Sequence, residues 1–356
     1  MAVLQYTGGT TGLPKGAMLT HANLVANLFQ SSRASRVKPG DARVMLILPL
    51  FHSFGMLCMN VGIAQGTRLV LLPRFEIDAV MQAIKEHAIT DFPGVPTMYV
   101  AILNYKDAES YGIANIRNIS SGGAAMPVEV SETFERKFQA KINEGYGLSE
   151  ASPATHSNPN WQPGLRRPGS IGIPLLGTDA RIVDLETGLR VLGPDQEGEL
   201  CIQGPQVMAG YWNKPEETVA ALRDGWLYTG DIAKMDQDGY FYILDRKKDL
   251  IIVSGYNVYP RELEEVMYEH PAVLEAAAIA VPDPYKGEVP KLFVVLKAGA
   301  QATAEELLDF CRQRLAPFKL PKFVAFRDAL PKSAVGKILR RELVAEDRTS
   351  RAERVG

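Results

Sequence analysis

Residues 43–50 read RVMLILPL, a nearly continuous apolar run, and residues 68–72 read RLVLL. Runs this short, apolar and unalternating are what strands buried on both faces of a parallel sheet require, because helices then cover the sheet above and below. Between them lie His52 and Gly55. Downstream, Ile77, Val80, Met81, Ile84 and Ala88 fall on one face of a helix that ends before Asp91. A strand at 116–120, a helix at 127–138 and a strand at 141–143 continue the alternation, so this part of the chain reads as an α/β sheet with helices outside. Upstream, residues 20–30 (THANLVANLFQ) set Leu24 and Leu28 at helical spacing behind a Thr20 cap.

The texture changes after Ser157. Residues 158–168 (NPNWQPGLRRP) are rich in Pro, Asn and Gly, and short strands follow at 179–184, 198–204 and 240–244, the pattern of a small β subdomain. From Asp249 a βαβ pattern returns: strand 250–253, helix 260–269, strands 276–281 and 292–296, then a helix from Thr303 with Glu306 completing a capping box. The polar tail, 346–356, is expected to fray. Three segments result: 1–160 (α/β), 161–247 (β-rich) and a C-terminal 248–356 that mixes helix and sheet.

Composition narrows the chemistry. With 356 residues, 46% of them hydrophobic and 22% charged, the chain has material for two or three globular domains. A formal net charge of -2 excludes a broad basic footprint for nucleic acid or acidic membranes, leaving small-molecule chemistry. Cys58, Cys201 and Cys311 form no CxxC pair and read as reduced thiols rather than a zinc ribbon or disulfide framework. No apolar run approaches a membrane span and no basic-then-apolar leader follows Met1, so the expectation is a cytoplasmic protein without a transmembrane segment.

Six motifs carry chemistry. Residues 6–16 (YTGGTTGLPKG) crowd Gly8, Gly9, Gly12 and Gly16, the hydroxyls of Thr7, Thr10 and Thr11, and the charge of Lys15 into eleven positions, the outline of a phosphate cradle. Pro14 before Lys15 and Gly16 after it break the Walker spacing. A polar surface turn has the same composition, so other motifs must decide. Residues 145–150 (GYGLSE) put Tyr146, Gly147, Ser149 and Glu150 after a strand, with a ring suited to stacking on a base and a carboxylate suited to a hard Mg²⁺; a solvated surface turn is the alternative. Residues 121–127 (SGGAAMP) offer main-chain groups to a flat ring, or simply join a strand to a helix. Residues 228–231 (YTGD) hold Asp231 after a tight Gly turn, suited to two ribose hydroxyls. Residues 245–255 (DRKKDLIIVSG) set Arg246, Lys247 and Lys248 before an apolar strand, where a solvated charge run is the plain reading. Near the end, 331–341 (PKSAVGKILRR) place Lys337 after Gly336 in a stretch with little helical character.

In this order the motifs resemble the adenylate-forming (AMP-binding) superfamily of acyl-CoA synthetases, luciferases and peptide-synthetase adenylation domains, from Tyr6 to about Leu343. The wording YTGGTTG, KGAMLTH and LPKSAVGKILRREL is most similar to bacterial long-chain fatty acid–CoA ligases. The resemblance implies a two-step acid–thiol ligase using ATP, Mg²⁺ and coenzyme A, through an acyl-adenylate and without an enzyme nucleophile. It implies that Thr7, Gly8, Gly9, Thr10, Thr11, Gly12 and Lys15 hold the β- and γ-phosphates, with Thr10 also counted among the catalytic groups. Gly123, Ala124, Ala125, Tyr146 and Gly147 would bracket adenine; Ser149 stands where Thr is commoner; Glu150 would ligate Mg²⁺ and Asp231 and Arg246 would fix the ribose. Lys337 would bridge the carboxylate and α-phosphate in the first step only. Lys248 would be the pivot of a mobile C-terminal domain, and Gly255 would let pantetheine pass close to the backbone. His52 in PLFHSFG would line or gate the acyl pocket, or is merely packed; Phe51, Phe54 and Met56 read as tunnel lining or as ordinary core.

Full-length members of the superfamily carry a substantial segment before the phosphate loop, whereas this chain begins five residues before Tyr6, so the large domain is expected to be a remnant. Exposed sheet edge, exposed apolar surface and self-association should follow. Two readings stand beside the fatty-acid ligase: an aryl or other carboxylate–CoA ligase, and a nucleotide-binding fragment that lacks turnover and serves as an interaction module.

Overall fold

The architecture follows from a computed structural model that describes residues 1–7, 14–35, 39–159, 164–334 and 336–355. The chain divides into two compact units, Met1–Ile243 and Leu244–Gly356.

In the first unit, the apolar runs noted in the sequence become the strands Arg43–Leu46 and Arg68–Leu71, paired in parallel. With Asp91–Gly94, Asn118–Ser121 and Ile142–Gly147 they form the parallel part of a seven-stranded sheet, extended by antiparallel strands Ala154–Ser157 and Ile173–Pro174. The helices Ile77–His87 and Val128–Phe138 bury Val80, Met81 and Ile84, and Val130, Phe134 and Phe138. The first of them ends where Ala88 takes a left-handed φ of 46°. The helix His21–Ser35 starts where Thr20 Oγ1 and the Asn23 side chain bond one another at 2.7 Å, and it buries a polar face of Asn27, Gln30 and Ser32 while Val25 and Phe29 are exposed. Two of these side chains find partners at long range, Asn27 and Gln30 donating to the carbonyls of Ala154 and Leu176.

A second, largely antiparallel sheet holds Asp179–Val183, Gly198–Gln203, Leu222–Arg223, Trp226–Met235 and Phe241–Arg246. Its core joins Ile182, Leu200, Ile202, Ala233 and Phe241. Two expectations need correction here. Residues 228–231 are not a turn between elements but the middle of the ten-residue Trp226–Met235 strand, where Gly230 at φ 73° interrupts the regular ladder. The strand expected at 141–143 runs on through Gly147, so the GYG triplet ends a strand rather than following one.

The second unit is not a βαβ succession. Val273–Asp283 and Gly287–Leu296 form a long antiparallel hairpin, because a three-residue connection makes that local pairing far cheaper to close than a crossover. Ile251–Val253 and Tyr256–Val258 form a second hairpin, and among the described residues of this unit only Phe323–Phe326 pairs in parallel, with Gly287–Leu296. The helices Pro260–Tyr268 and Ala304–Arg312 bury Leu263, Met267, Leu307 and Cys311 against this sheet. Thr303 and Glu306 close the expected capping box. The tail does not fray at 346: Arg340–Val355 is one helix, held by buried Leu343 and by Asp347, which pairs with Lys291 at 2.7 Å and Arg351 at 2.8 Å. Among the described residues no helix is long and apolar enough to cross a membrane.

Candidate functional site

The carboxyl ends of two neighbouring parallel strands, Asn118–Ser121 and Ile142–Gly147, bring the first candidates together, and this is where open α/β sheets collect ligands. After the first strand, Gly123 at φ 80° turns the chain so that Gly123 and Ala125 are exposed and Ala124 half-buried. The turn is tied down by buried Glu144, whose carboxylate accepts from the Met126 amide at 3.1 Å. After the second strand, Gly147 is forced: a Cβ there would lie 2.2 Å from the Pro153 carbonyl oxygen. Leu148 donates to that same carbonyl, and the short 3₁₀ turn Ser149–Ala151 follows.

Tyr146 and Asp231 meet. The Tyr146 hydroxyl donates to Asp231 Oδ2 at 2.5 Å, joining the parallel sheet to the Trp226–Met235 strand. Asp231 is oriented from its own strand by Thr229, and the adjacent Gly230 amide donates to the buried Glu199 carboxylate. The Tyr146 ring packs edge-on against His156 at 5.9 Å, and His156 packs on Phe241 at 4.9 Å. Burial pushes the His156 ring down to about 3, so it is neutral, and its Nδ1 lies 3.0 Å from Thr155 Oγ1.

Glu150 is held from both ends. Its carboxylate accepts from the Tyr211 hydroxyl at 2.8 Å, and its backbone carbonyl accepts from the Met208 amide. The Tyr211 ring lies under the Lys15 ammonium, 5.2 Å from the ring centre, a cation–π arrangement. Burial first, and the Glu150 charge second, push the Tyr211 hydroxyl well above its ordinary range, so it is a donor throughout the working pH range. Lys15 opens a strand that pairs residue for residue with Val3–Thr7, so Thr7 and Lys15 face each other across the base of the glycine loop. Gly8, Gly9, Thr10, Thr11 and Gly12 lie outside the described residues. Lys15, Tyr211 and Glu150 thus form one charged chain at that base.

His52 caps the helix Ser53–Ala64, its Nδ1 accepting from the Phe54 amide at 3.3 Å, which is a structural occupation for that ring. Phe51 is 72% exposed, whereas Phe54 and Met56 are half-buried.

The second unit holds the remaining candidates. Arg246 ends the Phe241–Arg246 strand, and its carbonyl accepts from the Asp249 amide in a turn that contains Lys248. Gly255, at φ 87°, and Ser254, at φ 50°, are the two central residues of the hairpin between Ile251–Val253 and Tyr256–Val258; both take the positive φ that a tight I′ turn demands. Lys337 sits on a turn closed by the Ser333 amide on the Lys337 carbonyl at 2.8 Å and by the Gly336 amide on the Ser333 carbonyl.

Tyr211, Glu199, Glu144 and His156 were not among the sequence candidates. Glu199 and Glu144 could have been noticed as carboxylates inside otherwise apolar strands (GELCI and INEGY); Tyr211 lies 61 residues from its partner, with no local signal for that pairing.

Chemically, the arrangement offers a carboxylate, Glu150, linked through Tyr211 to the Lys15 ammonium, and no group of three or more His, Cys, Asp or Glu among the described residues could hold a metal ion. That donor set fits Mg²⁺, which binds through one or two carboxylates and substrate phosphates, and it does not fit zinc. The thiols are poor nucleophiles, since burial pushes Cys58 and Cys201 up to about 12 and Cys311 up to about 11.

Residues 1–212 match the family model of the AMP-binding enzymes, and residues 262–337 match the AMP-binding enzyme C-terminal domain. A long-chain-fatty-acid–CoA ligase of Bacillus subtilis is 53% identical over 98% of this chain and 62% of its own length, and one from Escherichia coli is 43% identical with the same coverage. The chain therefore spans about 62% of the length of these curated relatives. A feruloyl-CoA synthase of Amycolatopsis is 40% identical over 96% of the chain and 69% of its length. Among solved structures, ATP-bound MatB from Rhodopseudomonas palustris is similar with a TM-score of 0.88 and 35% identity, covering 95% of this chain and 66% of that one. The Tyr146–Asp231 and Lys15–Tyr211–Glu150 groups, and the turn that carries Lys337, thus stand in a chain that belongs to the AMP-binding enzyme family.

Proposed function

We propose that the chain carries the ligase chemistry of fatty acid activation: a fatty acid, ATP and coenzyme A give acyl-CoA, AMP and pyrophosphate through an acyl-adenylate. The observation that supports this reading is the Tyr146–Asp231 pair, which brings a ring at the carboxyl end of the Ile142–Gly147 strand and a carboxylate side by side, groups suited to an adenosine. The 53% identity to a long-chain-fatty-acid–CoA ligase supports the fatty acid as the acid substrate.

In the first step a carboxylate oxygen of the acid attacks the α-phosphorus, and the bond from that phosphorus to the bridging oxygen breaks, releasing pyrophosphate. Thr7, Lys15 and the residues 8–12 between them would hold the β- and γ-phosphates, Gly123, Ala124, Ala125, Tyr146 and Gly147 the adenine, and Asp231 and Arg246 the ribose, with Ser149 beside them. Glu150, oriented by Tyr211, would hold Mg²⁺, which offsets phosphate charge when bound. Lys337 would supply the positive charge between the acid and the α-phosphate as five-coordinate charge develops. In the second step the coenzyme A thiol loses its proton to solvent, sulfur attacks the acyl carbon, and the carbon–oxygen bond to AMP breaks. Lys248 as pivot would withdraw Lys337 between the steps and the Gly255 turn would admit pantetheine. His52 would border the acyl pocket only through the helix it caps.

The test is to incubate the chain with Mg·ATP, coenzyme A and a panel of short- to long-chain fatty acids and aromatic acids, following AMP release. AMP release with the fatty acids supports the proposal. The second reading, favoured by the 40% identity to a feruloyl-CoA synthase, expects aromatic acids to lead. ATP binding without AMP release from any acid would identify a nucleotide-binding module instead. The exposed Val25, Phe29, Phe51 and Ile63 support self-association, which a concentration-dependent sedimentation coefficient would register.

A further inference from the structure

The turn bearing Lys337 is gripped on both sides within the second unit. On its N-terminal side, the Lys332 ammonium reaches the carboxylate of Glu275, nearly buried on the Val273–Asp283 strand, at 2.6 Å. Lys332 also bridges to Ile338, and the Leu339 amide donates to the Pro331 carbonyl, so the two sides are held together at their base. On its C-terminal side, three residues after Lys337, Arg340 opens the Arg340–Val355 helix. The Arg340 guanidinium makes bonds of 2.6 and 2.7 Å to both oxygens of Glu264 on the Pro260–Tyr268 helix, a bidentate charged pair. It also lies 3.9 Å from Asp245 and 3.6 Å from Asp249.

Those carboxylates have other duties. Glu264 accepts from the Ala278 amide. Asp245 accepts from the amides of Arg246 and Arg261, the latter in the first turn of the Pro260–Tyr268 helix. Arg340 therefore reaches the sheet-facing Glu264 of that helix, the carboxylate of Asp245 that caps its first turn, and both ends of the short turn 245–249 that contains Arg246 and Lys248. A guanidinium suits this post because its planar fork takes Glu264 with two donors and still presents charge to two more carboxylates; a lysine ammonium cannot reproduce that geometry.

We propose that Arg340 is a positioning residue for Lys337: by clamping the C-terminal side of its turn to Glu264 and to the carboxylates flanking Arg246 and Lys248, it fixes where the Lys337 ammonium is presented and ties that position to the turn 245–249. This rests on the reading of Lys337 as the cation of the first step. The Lys332–Glu275 pair has the same duty on the opposite side.

The test uses the whole chain as wild type, Arg340→Gln, Arg340→Lys, Lys332→Met and Lys337→Ala. Hydrogen exchange is followed by mass spectrometry, and the two half-reactions are assayed separately, as acid-dependent ATP–pyrophosphate exchange and as thioester formation from supplied acyl-adenylate. In Arg340→Gln, amide exchange over 331–339 should accelerate about tenfold or more, the order expected from losing a charged hydrogen-bonded pair. The strands Val273–Asp283 and Gly287–Leu296 should keep their protection, and Arg340→Lys should fall between Gln and wild type. Adenylation should drop about tenfold or more while thioester formation is kept. Unchanged exchange over 331–339, acceleration spread evenly through the second unit, or equal loss of both half-reactions would overturn the proposal. If Arg340→Gln does not fold, Arg340→Lys and Lys332→Met decide by the same readouts. Sparing of adenylation in Lys337→Ala would overturn the role given to Lys337. Loss in Lys337→Ala with none in Arg340→Gln would overturn the role of Arg340 alone.

Discussion

Asp231 shows how far a single residue could be read in advance. Its chemistry, a carboxylate suited to sugar hydroxyls, was legible in YTGD, but its hydrogen bond to Tyr146, 85 residues away, was not, because side-chain partners across sheets leave no local trace. Asp231→Ala should weaken ATP binding by about 1.5–3 kcal/mol, the worth of hydrogen bonds to a charged group, as measured by calorimetric titration. Unchanged affinity would remove Asp231 from the ribose site. Tyr211 presents the same lesson for Glu150. Tyr211→Phe removes the hydroxyl that orients the carboxylate and should raise the Mg²⁺ concentration for half-maximal adenylation by about tenfold, the usual scale for losing a group that orients a metal ligand. His156 supplies a pH dependence. Its folded pKa, held near 3 by burial, lies below the ordinary histidine value, so above about pH 6.5 both folded and unfolded states are neutral and it has no effect. As pH falls further the unfolded state takes the proton first, and stability drops by about 1.4 kcal/mol per pH unit until the folded ring also titrates. Urea denaturation of His156→Gln between about pH 6 and 4 should show a shallower acid loss than wild type by that slope.

At the scale of elements, the local signals were the dependable ones. Thr303 and Glu306 announced a helix start and form it, because a capping box needs only residues three apart. Thr303→Ala should cost about 1 kcal/mol of stability, checked by urea denaturation with an unchanged slope. The parallel strands were legible as apolar runs, since burial on both faces writes itself into composition. What failed was pairing. The hairpin of Val273–Asp283 and Gly287–Leu296 is hidden behind a βαβ pattern because strand–helix–strand order does not reveal which strands bond. The tail helix was read as frayed because Asp347 owes its burial to Lys291, 56 residues earlier. Gly147 is a tight constraint at this scale: Gly147→Ala would drive a Cβ into the Pro153 carbonyl, so the 145–150 turn should be lost with nucleotide affinity while the second unit keeps its hydrogen-exchange protection.

For the whole molecule, the ordered motifs carried the family, and the two units divide them: the nucleotide candidates Tyr146, Glu150 and Asp231 belong to Met1–Ile243, and Arg246, Lys248, Gly255 and Lys337 to Leu244–Gly356. Their local geometry is physically coherent. Each carboxylate proposed to touch nucleotide or metal already has a donor orienting it, Tyr146 for Asp231 and Tyr211 for Glu150. The chain spans about 62% of its curated relatives, so catalysis by these residues has to be measured on this chain itself. The most direct measurement is acid-dependent ATP–pyrophosphate exchange by wild type and Lys337→Ala. The account predicts exchange in wild type that requires a carboxylic acid, and a loss of about a hundred- to a thousandfold in Lys337→Ala, the scale for removing one charge-stabilising donor. No exchange by well-folded wild type with any acid, or equal exchange by the two proteins, would contradict it.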